Sequence, residues 1–358
     1  MSEIVDEFKE QSKNFFHGFI RILPFFLAFI IILEALSLTA FSKAQTSDYK
    51  NELSKAYSFM LEKENSIQVV TIGNSDLYSA FVPATLWDEY GYTSSVISSP
   101  HQSPLQSFDM METFYEGQSP EVVIIETDML YDSAPKGGSA VMAANPLNTL
   151  FDYLNPDDFE QLFRNQFSVF TYHDRWKQYG KKAGKPETPN SHGYKYSGRI
   201  NEVIIDDYME PTDEYEMITK VNEDNTKRLV KFCRDRGAQV FFVEMPSITS
   251  WNSYRHNAVA DFAKSINVDF LDLNLLTKDM GLNLEQSFRD VGNHLNYNGA
   301  VVTTQYLGKY IAENYNLENR HHNPDYKYWQ KTINAFYKEI KKENKKELKQ
   351  KGNYIELA

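Results

Sequence analysis

The sequence has a single cysteine, Cys233, among its 358 residues, so no disulfide can form within the chain. It also lacks a basic excess: 37 Lys and Arg against 49 Asp and Glu leave a net charge of −12, which argues against nucleic acid as the main partner. Neither Gly-rich nucleotide fingerprint occurs, nor does the His-Glu-x-x-His metal spacing. Hydrophobic residues nonetheless make up 42% of the chain, which suffices for a large core without disulfides.

One long apolar run covers residues 22–41, and about 20 such residues cross a bilayer as a helix. The run is longer than the core of a signal peptide, and no small-residue cleavage site follows it, so we expect a retained membrane anchor. Glu34 lies inside it. An ionisable group is costly there unless it is paired or close to the headgroups, so Glu34 indicates either contact with another membrane protein or a position near the outer interface. The flanking basic residues slightly favour a cytoplasmic N-terminus.

After this run, short β-branched segments alternate with amphipathic stretches. Strands are expected at residues 69–73, 93–98, 121–130, 239–244 and 268–271, and helices at residues 102–115, 224–236, 256–265 and 296–314. Repeated strand and helix predict an α/β fold with a parallel sheet covered on both faces. In such sheets ligands bind at the carboxyl ends of the strands.

The composition divides the chain into four parts. Residues 1–42 form the N-terminal segment and anchor, and residues 43–65 a linker helix. Residues 66–315 form the α/β domain, in which the alternation stops between about 131 and 221 and an insertion is expected. Residues 316–358 form an amphipathic tail whose aromatic stripe packs on the domain. The lysines of the tail are either a solvated face or a contact to anionic lipid or polymer.

The first predicted strand ends in Gly73, which permits a tight turn and places Ser75 at the start of the next helix. A serine there is either an N-cap or a nucleophile. The unpaired backbone N–H groups of a first helical turn could stabilise an oxyanion formed on an attacked carbonyl. More than two hundred residues later, Asp290 and His294 precede another helix. Together the three side chains offer a hydroxyl, a base and an acid that orients the base.

At these residues the chain resembles a family. Gly-Asn-Ser-Asp at residues 73–76, and Asp290 ahead of His-Leu-Asn-Tyr-Asn-Gly at residues 294–299, resemble the first and last signature blocks of the SGNH/GDSL hydrolases. Gln-Ser-Pro at 102–104, Glu-Thr-Asp at 126–128, Met-Pro at 245–246 and the anchor are similar to the membrane-anchored branch of that superfamily. This branch comprises the DltD-like proteins of teichoic acid D-alanylation and the alginate O-acetylation proteins, which act with membrane-bound O-acyltransferases.

The resemblance implies a flavodoxin-like three-layer fold and an extracytoplasmic domain held at the cell membrane by one span. It implies transfer or hydrolysis of an acyl ester on a cell-surface polymer, without a cofactor, in partnership with a membrane-bound O-acyltransferase. From the position of Glu34 in the span, we expect this partner to meet the anchor. Ser75 matches the nucleophile, His294 the base and Asp290 the acid. Three residues separate Asp290 from His294 where the family has two, so either Gly292 absorbs the extra residue, another carboxylate orients His294, or the histidine acts nearly alone.

Two further blocks depart from the family. Ser99 stands where a glycine N–H commonly binds the oxyanion, with His101 two residues on, and the asparagine of the third block is replaced by Glu126-Thr127-Asp128. We assign the oxyanion and substrate-binding group to Asn74, Ser99, His101, Glu126 and Asp128. Three alternatives stay open: a carbohydrate esterase of the same fold, a non-catalytic partner of an acyltransferase, and a metal site built from His101, Glu126, Asp128, Asp290 and His294.

Overall fold

The structure is a computed structural model that describes residues 2–41, 56–132, 167, 169–170, 190–205 and 208–357. Helix α1, Ser2–Leu38, contains the apolar run. Its segment Ile20–Leu38 is long and apolar enough to cross a membrane, and only 11% of its most apolar stretch is buried against protein. The expected span therefore lies on one helix that ends three residues earlier than predicted.

Within the described residues, five parallel strands form the central sheet. They are β1, Val69–Gly73; β2, Ser94–Ser98; β3, Val122–Glu126; β5, Gln239–Glu244; and β6, Asp269–Asp272. Their order across the sheet is β2-β1-β3-β5-β6, which is the 2-1-3-4-5 order of flavodoxin-like folds when only these strands are counted. The predicted α/β class and flavodoxin-like sheet are confirmed.

Helices cover both faces of the sheet. Helices α2, Ser75–Ala80; α3, Pro83–Tyr90; and α8, Tyr297–Asn314, pack on one face, against side chains such as Val69, Ile124 and Phe241. Helices α4, Pro104–Tyr115; α5, Lys220–Asp235; and α6, Ser253–Ser265, pack on the other, against Val70 and Val123. A short helix α7, Thr277–Met280, precedes α8. Successive strand residues face opposite sides, so strands buried on both faces read as continuous apolar runs.

The C-terminal segment belongs to the folded domain. Helix α9, Lys327–Glu347, buries Trp329, Ile333 and Phe336 in a third apolar cluster shared with α3 and α8. Strand β7, Asn353–Tyr354, then pairs with β4, Arg199–Ile200, in a separate antiparallel pair. The lysines of α9 that the structure exposes lie on the opposite face of the helix from this aromatic stripe.

The end of β3 and helix α3 differ from the expectations, and the short elements α7, β4 and β7 were not expected either. The strand predicted over residues 121–130 ends at Glu126, and Asp128–Tyr131 forms a 3-10 turn, at whose start the Glu126 carboxyl group accepts the Asp128 N–H at 2.6 Å. Helix α3 carries no strong sequence signal and was not predicted. Residues 43–55 of the predicted linker helix and most of the insertion lie outside the described residues. The described end of the linker contains a 3-10 turn, Ser58–Leu61.

Candidate active site

The turn after β1 is held by Asn74. Its side-chain oxygen accepts the Asp76 N–H at 3.0 Å and so caps α2, while Nδ2 donates to Asp128 at 2.7 Å and to Asp132 at 2.8 Å. These three bonds use the whole hydrogen-bonding capacity of the amide side chain except one oxygen lone pair. Asn74, expected in the oxyanion or substrate-binding group, therefore acts in this structure as the cap of α2.

Glu126 supports the same turn from beneath. It is fully buried, and its carboxylate accepts the backbone N–H groups of Asn74, at 3.0 Å, and of Asp128. Burial raises the pKa of Glu126 well above its usual range, and Asp128 and Asp76 raise it further. Glu126, expected in the oxyanion or substrate-binding group, lies under Gly73 in this structure and faces backbone rather than solvent.

Ser75 is the first residue of α2 and is half-buried. Its backbone carbonyl oxygen accepts the Ser79 hydroxyl at 2.8 Å, and this is the bond to a side chain that Ser75 makes within the described residues. The preceding carbonyl, of Asn74, accepts the hydroxyl of Ser98 and ties the end of β2 to the turn. The Ser75 hydroxyl thus stands at the carboxyl edge of the sheet without a competing partner in the described part of the chain.

Asp290 and His294 meet despite their unusual spacing. Asp290 Oδ2 lies 2.5 Å from His294 Nδ1, and Oδ1 accepts the backbone N–H groups of Asn293 and His294. Gly292, with φ +105°, takes up the extra residue in a conformation that side chains rarely adopt. Burial tends to raise the pKa of Asp290, but the hydrogen bonds from His294 and Asn293 outweigh it and hold the pKa at about 2. Asp290 is therefore ionised at neutral pH.

The other ring nitrogen of His294 faces α2. Asp76 Oδ1 lies 3.5 Å from Nε2, and Asn293 Nδ2 lies 3.4 Å from it. The Tyr78 ring stacks parallel to the imidazole with the ring centroids 6.5 Å apart. Because Asp76 directly follows Ser75, these contacts bring the two distant segments that carry Ser75 and His294 into one site.

The remaining predicted residues surround this centre at different depths. Ser99 is fully buried, and its hydroxyl bonds to Gln102 at 3.2 Å. The side chain of His101 is 78% exposed and lies 3.1 Å from Asp132. Asp128 is nearly buried, and burial raises its pKa to about 6 although bonds from Asn74 and Arg255 lower it. Asp128 and His101 therefore line the rim of the turn that Asn74 caps, whereas Ser99 lies below it.

The metal alternative required five side chains to converge. In the described segments, no group of three or more His, Cys, Asp or Glu is arranged to hold a metal ion. Asp290 and His294 bond to each other, while His101 turns to Asp132 and Glu126 to the backbone. These contacts differ from the shared coordination that the alternative proposed.

Comparison with known proteins gives matches among solved structures. A proposed acylhydrolase from Bacteroides fragilis is 12% identical, with a TM-score of 0.35 over 75% of this chain and 97% of that one. A proposed GDSL-like lipase from Parabacteroides merdae is 12% identical, with a TM-score of 0.32 over 68% and 95%. An acetyl xylan esterase from Butyrivibrio proteoclasticus is 11% identical, with a TM-score of 0.30 over 70% and 64%. No protein-family model and no curated protein matches the chain.

The structure adds residues that the motifs did not reveal. Asp76 is buried beside His294, and its Oδ2 accepts the Ser250 hydroxyl at 2.8 Å. Arg255 donates to Asp128 at 2.7 Å and to Glu216 at 2.9 Å. Asp76 could have been suspected from its place next to Ser75. Ser250 and Arg255 follow β5 by six and eleven residues, and no local pattern links them to the first turn.

Proposed function

We propose that this protein is a membrane-anchored serine acyltransferase that acts outside the cytoplasm and passes an acyl group through Ser75 to a hydroxyl of a cell-surface polymer. The observation that carries the proposal is the 2.5 Å bond between Asp290 and His294, whose second nitrogen faces the helix that begins with Ser75. A carboxylate that accepts Nδ1–H fixes the imidazole tautomer and stabilises the imidazolium, which is what a general base beside a serine requires.

The proposed chemistry has two half-reactions. In the first, His294 Nε2 takes the proton of the Ser75 hydroxyl as Oγ attacks the acyl carbonyl, and the resulting imidazolium returns that proton to the leaving oxygen as the bond to it breaks. In the second, His294 deprotonates the acceptor hydroxyl, which attacks the Ser75 ester, and the proton returns to Ser75 Oγ. Asp290 stays ionised throughout, consistent with its low pKa.

The proposed acyl acceptor and acyl donor are inferred from the family resemblance and from the apolar helix α1. The membrane-anchored branch of the SGNH superfamily modifies envelope polymers with acyl groups delivered from the bilayer, and α1 supplies a matching anchor. Apolar side chains of this helix stand exposed, among them Phe25 at 78% and Ile31 at 67%, as lipid contact requires. Glu34 is half-buried within the span, and we assign it to the side that meets the membrane-bound acyltransferase.

A carbohydrate esterase is the second candidate, because Ser75 is half-buried and so accessible to water. The two activities share the acyl-enzyme and differ only in whether a polymer hydroxyl or water removes the acyl group. The anchor favours the transferase, since an enzyme supplied from the bilayer gains from staying there. A non-catalytic partner of an acyltransferase would need neither Ser75 nor His294.

The nucleophile is tested with the full-length chain in detergent, incubated with p-nitrophenyl acetate and analysed by peptide mass spectrometry. We expect acetylation on the peptide that contains Ser75, absent from Ser75→Ala and retained in Ser265→Ala, whose hydroxyl bonds to Phe262 O at the end of α6. Undiminished acetylation in Ser75→Ala would refute the assigned nucleophile.

The acceptor is tested by chasing the acetyl-enzyme. A polyhydroxylated polymer that speeds the loss of the Ser75 ester and becomes acetylated supports the transferase, whereas loss at the same rate in buffer alone supports the esterase. In cells, envelope acylation that survives Ser75→Ala at equal protein level, and is lost when Glu34 is changed, would show a scaffold instead.

A further inference from the structure

The unexplained group in the site is Asp76. It is 3% exposed, and its Oδ1 has no hydrogen-bond partner among the described residues. The basic atom that faces this oxygen is His294 Nε2, at 3.5 Å. A buried carboxyl oxygen without a partner is unfavourable, and a proton held between it and the imidazole would satisfy both atoms.

We infer that Asp76 is a positioning residue that shares one proton with His294 Nε2 in the resting site, and so sets the pH above which His294 can act on Ser75. The inference deepens the proposed function, because it concerns the base of that reaction. One proton is bound by the pair, either as carboxylic acid donating to a neutral ring or as imidazolium between two carboxylates. Nε2 becomes free for the Ser75 hydroxyl when this proton is lost.

The surroundings favour a proton at this position. Burial raises the pKa of Asp76 well above its usual range, and the carboxylates of Asp128, Asp290 and Asp132 add to this, while the Ser250 hydroxyl lowers it. On the imidazole side, Asp290 holds Nδ1 at 2.5 Å. The nearby cations, Lys195 and Arg289, lie over the Tyr78 ring, at 5.4 and 5.9 Å from its centroid, and neither makes an ion pair with Asp76 among the described residues.

The geometry also explains the role of Ser250. Its hydroxyl donates to Asp76 Oδ2 at 2.8 Å, and its oxygen lies 2.6 Å from Ser247 Oγ, close enough to accept the Ser247 hydroxyl hydrogen. The bond from Ser250 engages Oδ2 of Asp76, while Oδ1 of the same carboxyl group lies 3.5 Å from Nε2 of His294. Removing the Ser250 donor makes Asp76 hold its proton more tightly.

The protonation of His294 is measured without catalysis. Diethyl pyrocarbonate modifies only unprotonated imidazole, and peptide mass spectrometry of the full-length chain gives the rate at His294 against pH. We expect the midpoint of the pH profile of this modification to lie at lower pH in Asp76→Asn than in the wild type, because the carboxyl group that shares the proton with Nε2 is gone. The acidic limb of Ser75 acetylation moves with it.

The matched control is Asp132→Asn, which removes a carboxylate from the end of the neighbouring 3-10 turn after β3, where it bonds to Asn74 and, among the described residues, makes no contact with His294. It shifts the midpoint by less than half as much. Ser250→Ala shifts the midpoint upward, and it decides the question if Asp76→Asn fails to fold. An Asp76→Asn shift no larger than that of Asp132→Asn, or an unchanged or lowered midpoint in Ser250→Ala, overturns the inference. Because modification of His294 needs no turnover, these results stand even if Ser75 proves not to be the nucleophile.

Discussion

Replacing Gly73 by alanine tests whether the turn that presents Ser75 is built as the structure shows. A Cβ at Gly73 would lie 2.5 Å from Glu126 Cβ and 2.5 Å from Glu126 Oε2. Favourable contacts between carbon atoms lie at about 3.5–4.0 Å, so the neighbouring strands β1 and β3 must separate by about 1 Å or Glu126 must leave. The backbone of Gly73 is not in the left-handed region, so the cost is steric rather than conformational.

The magnitude follows from two contributions. Overpacking of a well-packed interior costs about 1–3 kcal/mol. Displacing Glu126 also weakens its bonds to the N–H groups of Asn74 and Asp128, at about 1 kcal/mol each. We expect Gly73→Ala to lower the free energy of unfolding by about 3–5 kcal/mol, a large part of the usual stability of about 5–15 kcal/mol. The measurement is urea unfolding of the full-length chain in detergent, followed by tryptophan fluorescence.

Second-site variants separate the steric reason from a general sensitivity of the turn. In a Glu126→Ala background the Cβ contact at 2.5 Å remains, so Gly73→Ala stays costly by about 1–3 kcal/mol. In a Glu126→Gly background the contact is gone, and the cost falls below about 1 kcal/mol. Gly117→Ala is the control, because a Cβ there meets nothing within 4 Å. If Gly73→Ala is as stable as Gly117→Ala, the reasoning about this turn is refuted.

Three further changes test other parts of the structure. Trp329 is fully buried, and its ring stacks on that of His192 with the centroids 4.0 Å apart. Trp329→Ala should lower the free energy of unfolding in urea by about 3–5 kcal/mol, whereas Lys345→Ala, at an exposed position of the same helix, should change it by less than about 0.5 kcal/mol. Equal effects of the two changes would contradict the docking of α9. Burial, together with Glu126 and Asp128, raises the pKa of Glu244, so the folded state keeps a proton that the unfolded state loses. Stability therefore falls as the pH rises above about 4.5. Glu244→Gln should flatten the dependence of the melting temperature on pH, and an unchanged slope would contradict this reasoning. The pKa of Asp290, about 2, is below its usual value, so the stabilising contribution of this carboxylate is present above about pH 4 and is lost as the pH falls towards 2. The difference in stability between the wild type and Asp290→Asn should therefore shrink over that range. A constant difference would argue against the bond to His294.

Local sequence was sufficient for the central strands and most of the helices. The apolar runs of β1, β3 and β5 are buried on both faces, and each was placed to within a few residues because a parallel strand covered by helices must be apolar throughout. The end of β3 was missed, since the turn at Asp128 depends on Glu126 accepting a backbone N–H, which no periodicity encodes. Helix α3 was missed because its burial comes from α8 and α9, far away in the chain.

The candidate site divides in the same way. The sequence alone identified the serine that follows the Gly73 turn, the pair Asp290 and His294, and the glycine between them. Each of these is a local pattern with a chemical meaning. Only the tertiary structure decided that Asn74 and Glu126 are occupied in holding the turn, that Asp76 reaches His294, and that Ser250 reaches Asp76 from another element. Which buried carboxyl meets which partner depends on how strands and loops far apart in the chain are set side by side, and that is a property of the packed sheet rather than of any segment in it.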